Sequence, residues 1–77
     1  MIQLALDGEG RLYLDGQPVA RADLERRFQD AAAPGRAAPE LHLRADRGTR
    51  YERVTDVMAA AQKAGIARIA LVTEPAR

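Results

Sequence analysis

Apolar residues recur at every second position in three short segments of the chain. These segments are Ile2–Leu6, Leu12–Leu14 and residues 41–46, and a period of two is typical of a β-strand with one buried face. Residues 7–10, Asp-Gly-Glu-Gly, lie between the first two segments, and glycine reaches positive φ at little cost. The first two strands are therefore predicted to form a β-hairpin.

A period of three to four residues replaces this alternation in two longer segments. In the first, Leu24, Phe28 and Ala31 fall on one face, which predicts an amphipathic helix. The expected cap position near Ala20 holds no serine, threonine or aspartate, so the start of this helix is weakly specified. The Pro-Gly pair at residues 34–35 ends it.

The second helix has stronger boundary signals. Thr49 and Glu52 have the spacing of a capping box, and Gly65 follows the end of the apolar pattern, as is usual at a helix C-terminus. We expect one face of this helix to be buried, with the tyrosine hydroxyl at its rim. That face carries Tyr51, Val54, Val57, Met58 and Ala61.

A compact apolar run at residues 69–72 predicts a fourth strand over Arg68–Thr73. The order strand, strand, helix, strand, helix, strand then predicts a two-layer α/β sandwich of the α+β type. We expect a mixed four-stranded sheet with both helices on one face, because three of the strands show one apolar and one polar face.

Crossover handedness narrows the strand order. The connections through the two helices, from the second strand to the third and from the third to the fourth, are expected to be right-handed and parallel. The first strand then pairs antiparallel with the second, either outside it or between the second and the third. Both arrangements leave the fourth strand at an edge, where another chain can add. We therefore predict a dimer or partner interface formed by Arg68, Ile69, Ala70, Leu71, Val72 and Thr73.

The composition of the chain mainly excludes certain kinds of structure and partner. A chain of 77 residues has room for one domain, residues 1–77. Twelve basic and eleven acidic residues leave a net charge of +1, which argues against a nucleic-acid partner. Cysteine is absent, which excludes disulfides and cysteine-ligated metals. The longest apolar run, residues 57–61, is far shorter than the about 20 residues of a membrane span.

Candidate catalytic groups are scarce. The single histidine, His42, lies between two leucines on the polar face of the third strand. It is either a solvent-facing strand residue or a pH-sensitive interface group, since histidine titrates near neutrality. The Asp-Gly pairs at residues 7–8 and 15–16 lack the spacing of calcium or phosphate loops, and we interpret them as turns. We predict no enzyme activity, no cofactor and no metal site.

An ordered set of short motifs runs through the second half of the chain. Residues 41–46 read Leu-His-Leu-Arg-Ala-Asp, residues 51–58 read Tyr-Glu-x-Val-x-x-Val-Met, and residues 64–74 read Ala-Gly-Ile-x-x-Ile-Ala-Leu-Val-Thr-Glu. This set resembles the periplasmic domain of the ExbD/TolR family. The first half is similar as well, with its hairpin, a Gly-x-Pro-Val segment at residues 16–19 and a helix with an early leucine. The motif residues that we single out are Arg44, Asp46, Tyr51, Gly65 and Leu71.

The resemblance implies a subunit of a proton-driven inner-membrane complex in a Gram-negative bacterium. Such a subunit has a periplasmic domain and one transmembrane helix, which we expect to lie outside this sequence. Together with ExbB or TolQ, it energises TonB or TolA and so supports outer-membrane transport. We therefore expect a homodimer that binds a TonB- or TolA-like protein and that contacts an ExbB/TolQ-like membrane subunit through the missing helix.

Two other interpretations stay open. In the first, a resemblance to the TolR-type members of the family implies that the main role is peptidoglycan binding, which supports envelope integrity. A small enzyme or an RNA-binding domain is a reserve interpretation, because RNA-binding sheets expose stacked aromatic residues and Tyr13 is the only aromatic on the predicted strands. Among the motif residues, we expect Arg44 and Asp46 to pair or to anchor the turn, and Leu71 to pack in the core or to contact a partner.

Overall fold

The computed structural model describes residues 1–73, which form five strands and two helices. In chain order the elements are β1 (Ile2–Leu6), β2 (Leu12–Leu14), β3 (Gln17–Val19), α1 (Arg21–Ala31), β4 (Glu40–Ala45), α2 (Tyr51–Lys63) and β5 (Arg68–Thr73). The α+β class predicted from the sequence is confirmed, with five strands in place of four.

All five strands belong to one mixed sheet with the order β3-β2-β1-β4-β5. β1 pairs antiparallel with β2 and parallel with β4, and β4 pairs parallel with β5. β1 therefore lies between β2 and β4, which is one of the two predicted arrangements. β5 lies at an edge of the sheet, as predicted.

The strand that the sequence pattern missed is β3. It has only three residues, too few to show alternation, and Pro18 lacks the N–H that a central strand needs. Asp15 and Gly16, with φ values of 49° and 85°, form the two-residue turn between β2 and β3, as in type I′ hairpins. Because β3 reverses the chain, the connection through α1 starts there and β2 runs antiparallel to β4. The predicted parallel crossover from β2 was wrong.

One hydrophobic core lies between the sheet and both helices. Its buried residues are Leu4, Leu6, Leu12, Leu24, Phe28, Leu41, Leu43, Ala45, Val54, Val57, Ala60, Ala61 and Ile66. Two of them come from α1 and four from α2. Because both helices bury their apolar faces in the same cluster, they lie on one face of the sheet, as predicted. The other face carries no helix in the described part of the chain.

Neither helix has a side-chain cap at its start. α1 begins after Ala20, as expected, and α2 begins after Arg50. The predicted capping box of Thr49 and Glu52 was wrong, because the cap position falls one residue later than Thr49. Thr49 Oγ1 instead donates a hydrogen bond to the carbonyl oxygen of Leu6, 3.3 Å away. This bond ties the turn before α2 to the end of β1.

Gly65 ends α2, as predicted. Its φ is 102°, and its N–H donates to the carbonyl of Gln62 at 3.0 Å. The N–H of Ile66 donates to the carbonyl of Ala61, also at 3.0 Å. These two bonds are the Schellman pattern, which satisfies the last free carbonyls of a helix. The turn leads the chain directly into the core, where Ile66 is fully buried.

Replacing Gly65 by alanine is expected to lower the free energy of unfolding by about 1–2 kcal/mol, the usual penalty for a side chain in the left-handed region. An added Cβ would lie 3.6 Å from the Cβ of Ala32, so backbone strain and not a clash is the cause. Urea denaturation measures the change. Gly48→Ala is the matched control, because its φ lies outside the left-handed region and no described atom lies within 4 Å of the added Cβ. Equal losses for the two variants would contradict this account of Gly65.

Candidate interaction site at the β5 edge

β5 is the outermost strand of the sheet on the side opposite β3. It pairs with β4 along its whole length, and within residues 1–73 no strand lies beyond it. The backbone N–H and C=O groups on its outer side are therefore open to a strand from another chain.

The side chains of this edge are apolar and exposed. Leu71 is 44% exposed and Val72 is 51% exposed, and Ala70 is exposed as well. Every other leucine within residues 1–73 is buried or partly buried, so Leu71 is an exception that the core does not explain. We expected Leu71 either to pack in the core or to contact a partner, and its exposure shows that full core packing was wrong.

The two exposed side chains lie on opposite faces of the sheet. Leu71 is in register with the core residue Leu43, so it faces the same side as the helices. Val72 is in register with Arg44 and lines the helix-free face. A strand that adds to β5 would therefore gain apolar contacts on both faces as well as main-chain hydrogen bonds.

The helix-free face of the sheet holds an open cleft of about 400 Å³. Its lining includes Gln3, Tyr13, His42, Arg44 and Val72. His42 lies on this face, as the alternation predicted, and its Nε2 is 2.9 Å from Oε1 of Glu40. The imidazole is thus held beside the Glu40 carboxyl group on the helix-free face.

Asp46 anchors the turn after β4, one of the two roles expected for it. Its N–H donates to the carbonyl of Leu6 at 3.1 Å, and its carbonyl accepts from the N–H of Thr49 at 2.9 Å. Arg44, the motif residue within β4, lies on the helix-free face. The turn therefore depends on the backbone of Asp46.

Tyr51 is not a core residue, contrary to our expectation. It is 76% exposed, because it is the first residue of α2 and precedes the first buried residue of the helix, Val54, by almost one turn. Gly65 lies beyond the other end of α2, about 20 Å away for a helix of 13 residues. The five motif residues therefore do not converge on one site, and only Leu71 belongs to the exposed edge.

The Asp7 carboxylate organises the turn between β1 and β2. Its Oδ2 accepts a hydrogen bond from Nε of Arg11 at 2.8 Å, and its Oδ1 accepts from the N–H of Arg11 at 2.8 Å and of Glu9 at 3.0 Å. The Arg11 side chain, with these backbone donors, holds the pKa of Asp7 below its usual value. These contacts confirm the interpretation of this segment as a turn.

Among residues 1–73, no group of three or more metal-ligating side chains comes together.

An ion pair that local spacing does not predict joins the two helices. Arg21 donates from Nε to Oδ2 of Asp56 at 2.8 Å and from Nη2 to Oδ1 at 3.2 Å. The hydrogen bonds from Arg21 lower the pKa of Asp56, and the same bonds raise the pKa of Arg21. The two residues are 35 positions apart in the chain, so only the fold brings them together.

We expect Asp56→Asn to lower the free energy of unfolding by about 0.5 kcal/mol near neutral pH, a small effect because both side chains are exposed. The folded-state pKa of Asp56 lies below its unfolded value. The contribution of the pair is therefore present above about pH 4 and is lost as the pH falls through the folded-state pKa. A double-mutant cycle with Arg21→Gln, repeated at acid and neutral pH, measures the coupling. A coupling energy that is the same at both pH values would contradict the assignment.

The described helices are short. α1 has 11 residues and α2 has 13, and neither is long and apolar enough to cross a bilayer. In this structure both helices cover the core face of the sheet.

Comparison with known proteins gives a consistent result. The family model described as "Biopolymer transport protein ExbD/TolR" matches residues 1–76. The biopolymer transport protein ExbD of Pseudomonas aeruginosa is 33% identical over 70 residues, which are 91% of this chain and 52% of that protein. The biopolymer transport protein exbD1 of Xanthomonas campestris pv. campestris is 32% identical over 71 residues, 92% of this chain and 50% of that protein. The chain thus spans about half the length of these curated relatives, and it belongs to the ExbD/TolR family of biopolymer transport proteins.

Proposed function

We propose that this chain is the periplasmic domain of a subunit in a complex driven by the proton motive force, of the ExbB–ExbD–TonB or the TolQ–TolR–TolA type. The domain acts by forming a homodimer and by binding a TonB- or TolA-like protein, and in this way it supports outer-membrane transport. Family membership supports the role in biopolymer transport. The single observation that carries the proposal is the exposed apolar edge of β5.

The edge of β5 offers one docking position to two kinds of partner. A second copy of the chain or an extended segment of a TonB- or TolA-like protein would form the same ladder of main-chain hydrogen bonds. Either would also cover Leu71 and Val72, which are exposed in the single chain. Because the edge of β5 pairs with only one strand at a time, a second copy of the chain and a TonB- or TolA-like protein compete for it. The domain therefore switches between a homodimer and a partner-bound form.

The membrane part of this role is assigned to the remainder of the full-length protein. The curated relatives are about twice as long as this chain. We assign to that remainder a single transmembrane helix that contacts an ExbB/TolQ-like subunit. The domain is then held in the periplasm of a Gram-negative bacterium, tethered to the inner membrane, and its work is association without any chemical reaction.

A binding experiment tests the proposal. The purified chain is titrated with the periplasmic part of a TonB- or TolA-like protein from the same genome, and binding is measured by calorimetry. We expect saturable binding that weakens as the concentration of the domain rises, because self-association occupies the same edge. If the chain bound neither a TonB-like nor a TolA-like protein, the proposed function would be contradicted.

Peptidoglycan binding is the second candidate function, and the cleft on the helix-free face favours it. The lining of this cleft combines an aromatic ring, Tyr13, with the polar side chains of Gln3, His42 and Arg44, a combination that suits a sugar with charged substituents. Retention on purified cell-wall sacculi tests this role. We expect Tyr13→Ala to reduce any retention, whereas Tyr51→Ala, which removes an exposed tyrosine from another surface, serves as the control. Absence of retention would leave the binding of a TonB- or TolA-like protein as the sole role.

A further inference from the structure

The first and last strands of the described chain run in the same direction in the sheet. β1 and β5 both pair parallel with β4, which lies between them. The chain therefore enters β1 at one end of the sheet and leaves β5 at the opposite end. A force that pulls these two points apart acts along the strands, so it slides β1, β4 and β5 past one another and does not peel them apart.

The direction of a force decides how many hydrogen bonds resist it. When strands slide, all bonds of a ladder are stretched together, because these bonds run across the strands. When two strands are pulled apart from the same end, the bonds break one after another. Five residue pairs join β1 to β4 and six join β4 to β5. A sliding force therefore meets the whole of both ladders.

The three parallel strands are regular and anchored in the core. None of them contains proline or glycine, so each residue has an N–H to donate. Leu4 on β1 and Leu41 and Leu43 on β4 are buried, and a slip of one residue would move such side chains off the core face. The strand that does contain a proline, β3, lies beyond β2 on the other side of β1.

Hydrogen bonds to other segments hold β1 near both of its ends. Near its start, the N–H of Gln3 donates to Oδ1 of Asp15 at 3.0 Å, and the N–H of Asp15 donates to the carbonyl of Gln3 at 2.7 Å. At its end, the carbonyl of Leu6 accepts hydrogen bonds from the N–H of Asp46 and the hydroxyl of Thr49. These bonds join β1 to the turn after β2 and to the turn before α2, and they resist sliding together with the ladder.

We propose that this domain carries tension, and that the load passes from the start of β1 through β4 to the end of β5. We call this route the load path. The proposal deepens the proposed function and rests on it, because tension arises in the complex only when one end of the domain is tethered and the other is held by a partner. In that arrangement the domain transmits a pull without unfolding.

Single-molecule pulling tests the load path, because the chain has no cysteine of its own and one engineered cysteine can serve as an anchor. Ala38 and Arg47 are matched anchor positions, since both are exposed and they lie just before and just after β4. With the second handle on the N-terminus, Arg47→Cys loads β1 and β4 from opposite ends, whereas Ala38→Cys loads them from the same end. We expect the unfolding force of Arg47→Cys to be several-fold higher at the same pulling speed.

Moving the second handle to the C-terminus reverses this prediction. Ala38→Cys then loads β4 and β5 from opposite ends, and Arg47→Cys loads them from the same end. We expect Ala38→Cys to unfold at the higher force in this geometry. The exchange separates the direction of the load from any local effect of either substitution, because the same two variants are compared in both geometries.

Two results would overturn the proposal. Equal unfolding forces for the two variants would show that the parallel ladders do not carry the load. A force that stays higher for the same variant with either handle would show that the anchor position, and not the direction of pulling, decides when the domain unfolds. Neither result affects the binding of a TonB- or TolA-like protein, which calorimetry measures without an applied force, so this proposal and the proposed function fail separately.

Discussion

Leu43→Ala is expected to lower the free energy of unfolding by about 2–5 kcal/mol, the range for leucine truncation in a well-packed core. Leu43 is 0% exposed and lies on β4, between β1 and β5. Its side chain is fully buried in the core, so truncation removes apolar contacts and leaves a cavity. A domain of this size has a total stability of only about 5 kcal/mol, so the variant is expected to retain about 0–3 kcal/mol of it and to melt well below the parent. Thermal and urea denaturation followed by circular dichroism measure the loss.

Leu71→Ala is the matched control for this prediction. Leu71 lies beside Leu43 in the sheet register and receives the same substitution, but 44% of it is exposed. Its truncation is expected to cost under about 1 kcal/mol in the isolated chain and to weaken association instead. Val57→Ala, a second buried position in α2, is expected to lose somewhat less stability than Leu43→Ala. If Leu43→Ala and Leu71→Ala melted at the same temperature, the assignment of core and edge would be wrong.

A proline in β5 is expected to abolish both dimerisation and partner binding. Proline has no N–H to donate, and its ring blocks an approaching strand. Successive N–H groups of a strand point to opposite sides, so of Ala70→Pro and Leu71→Pro one removes an outward N–H and the other removes a bond to β4. The variant that loses the outward N–H is expected to fold normally and to stay monomeric in analytical ultracentrifugation.

Amide exchange identifies which of the two proline variants is informative. The variant that keeps the protection of β1 and β4 close to that of the parent is folded, and its association constant is the test. Ala37→Pro, in the exposed loop after α1, is the control for a proline that leaves the sheet intact. A folded β5 variant that retains the dimerisation constant and the partner affinity of the parent would show that the interface lies elsewhere.

The core of this fold was predictable because its signals are local. Leu4 and Leu43 sit in short alternating segments, and Leu24, Phe28 and Val57 recur with a helical period, so each residue's own neighbours in the chain indicate its face. The two helices, their common side of the sheet and the end of α2 at Gly65 followed from these patterns. The edge position of β5 also held despite the wrong crossover from β2, because β1 occupies the other side of β4.

The remaining features could not be predicted, either because they depend on contacts between distant segments or because the local pattern was too short or too near a helix end. Thr49 does not cap α2, because the helix begins one residue later, and its hydroxyl donates instead to the carbonyl of Leu6, 43 residues earlier. Tyr51 has the spacing of a core residue, but its place on the first turn of α2 leaves it in solvent. The short strand β3 gave no periodic signal because its length is three residues.

The candidate site was predictable only in part. The residues of the edge followed from topology, and their apolar character is visible in the sequence. Leu71 is exposed, whereas Ile69, on the same face of β5, is partly buried against the core. No period of hydrophobic residues carries that information.

The central claim is that β5 is the edge through which this domain associates. Amide hydrogen exchange of the chain, measured with and without a saturating TonB- or TolA-like partner, tests it most directly. The account predicts new protection within Arg68–Thr73 and none at β3, the opposite edge of the same sheet, which is the internal control. Protection that develops at β3 or on the helices, while β5 exchanges as fast as in the free chain, would contradict it.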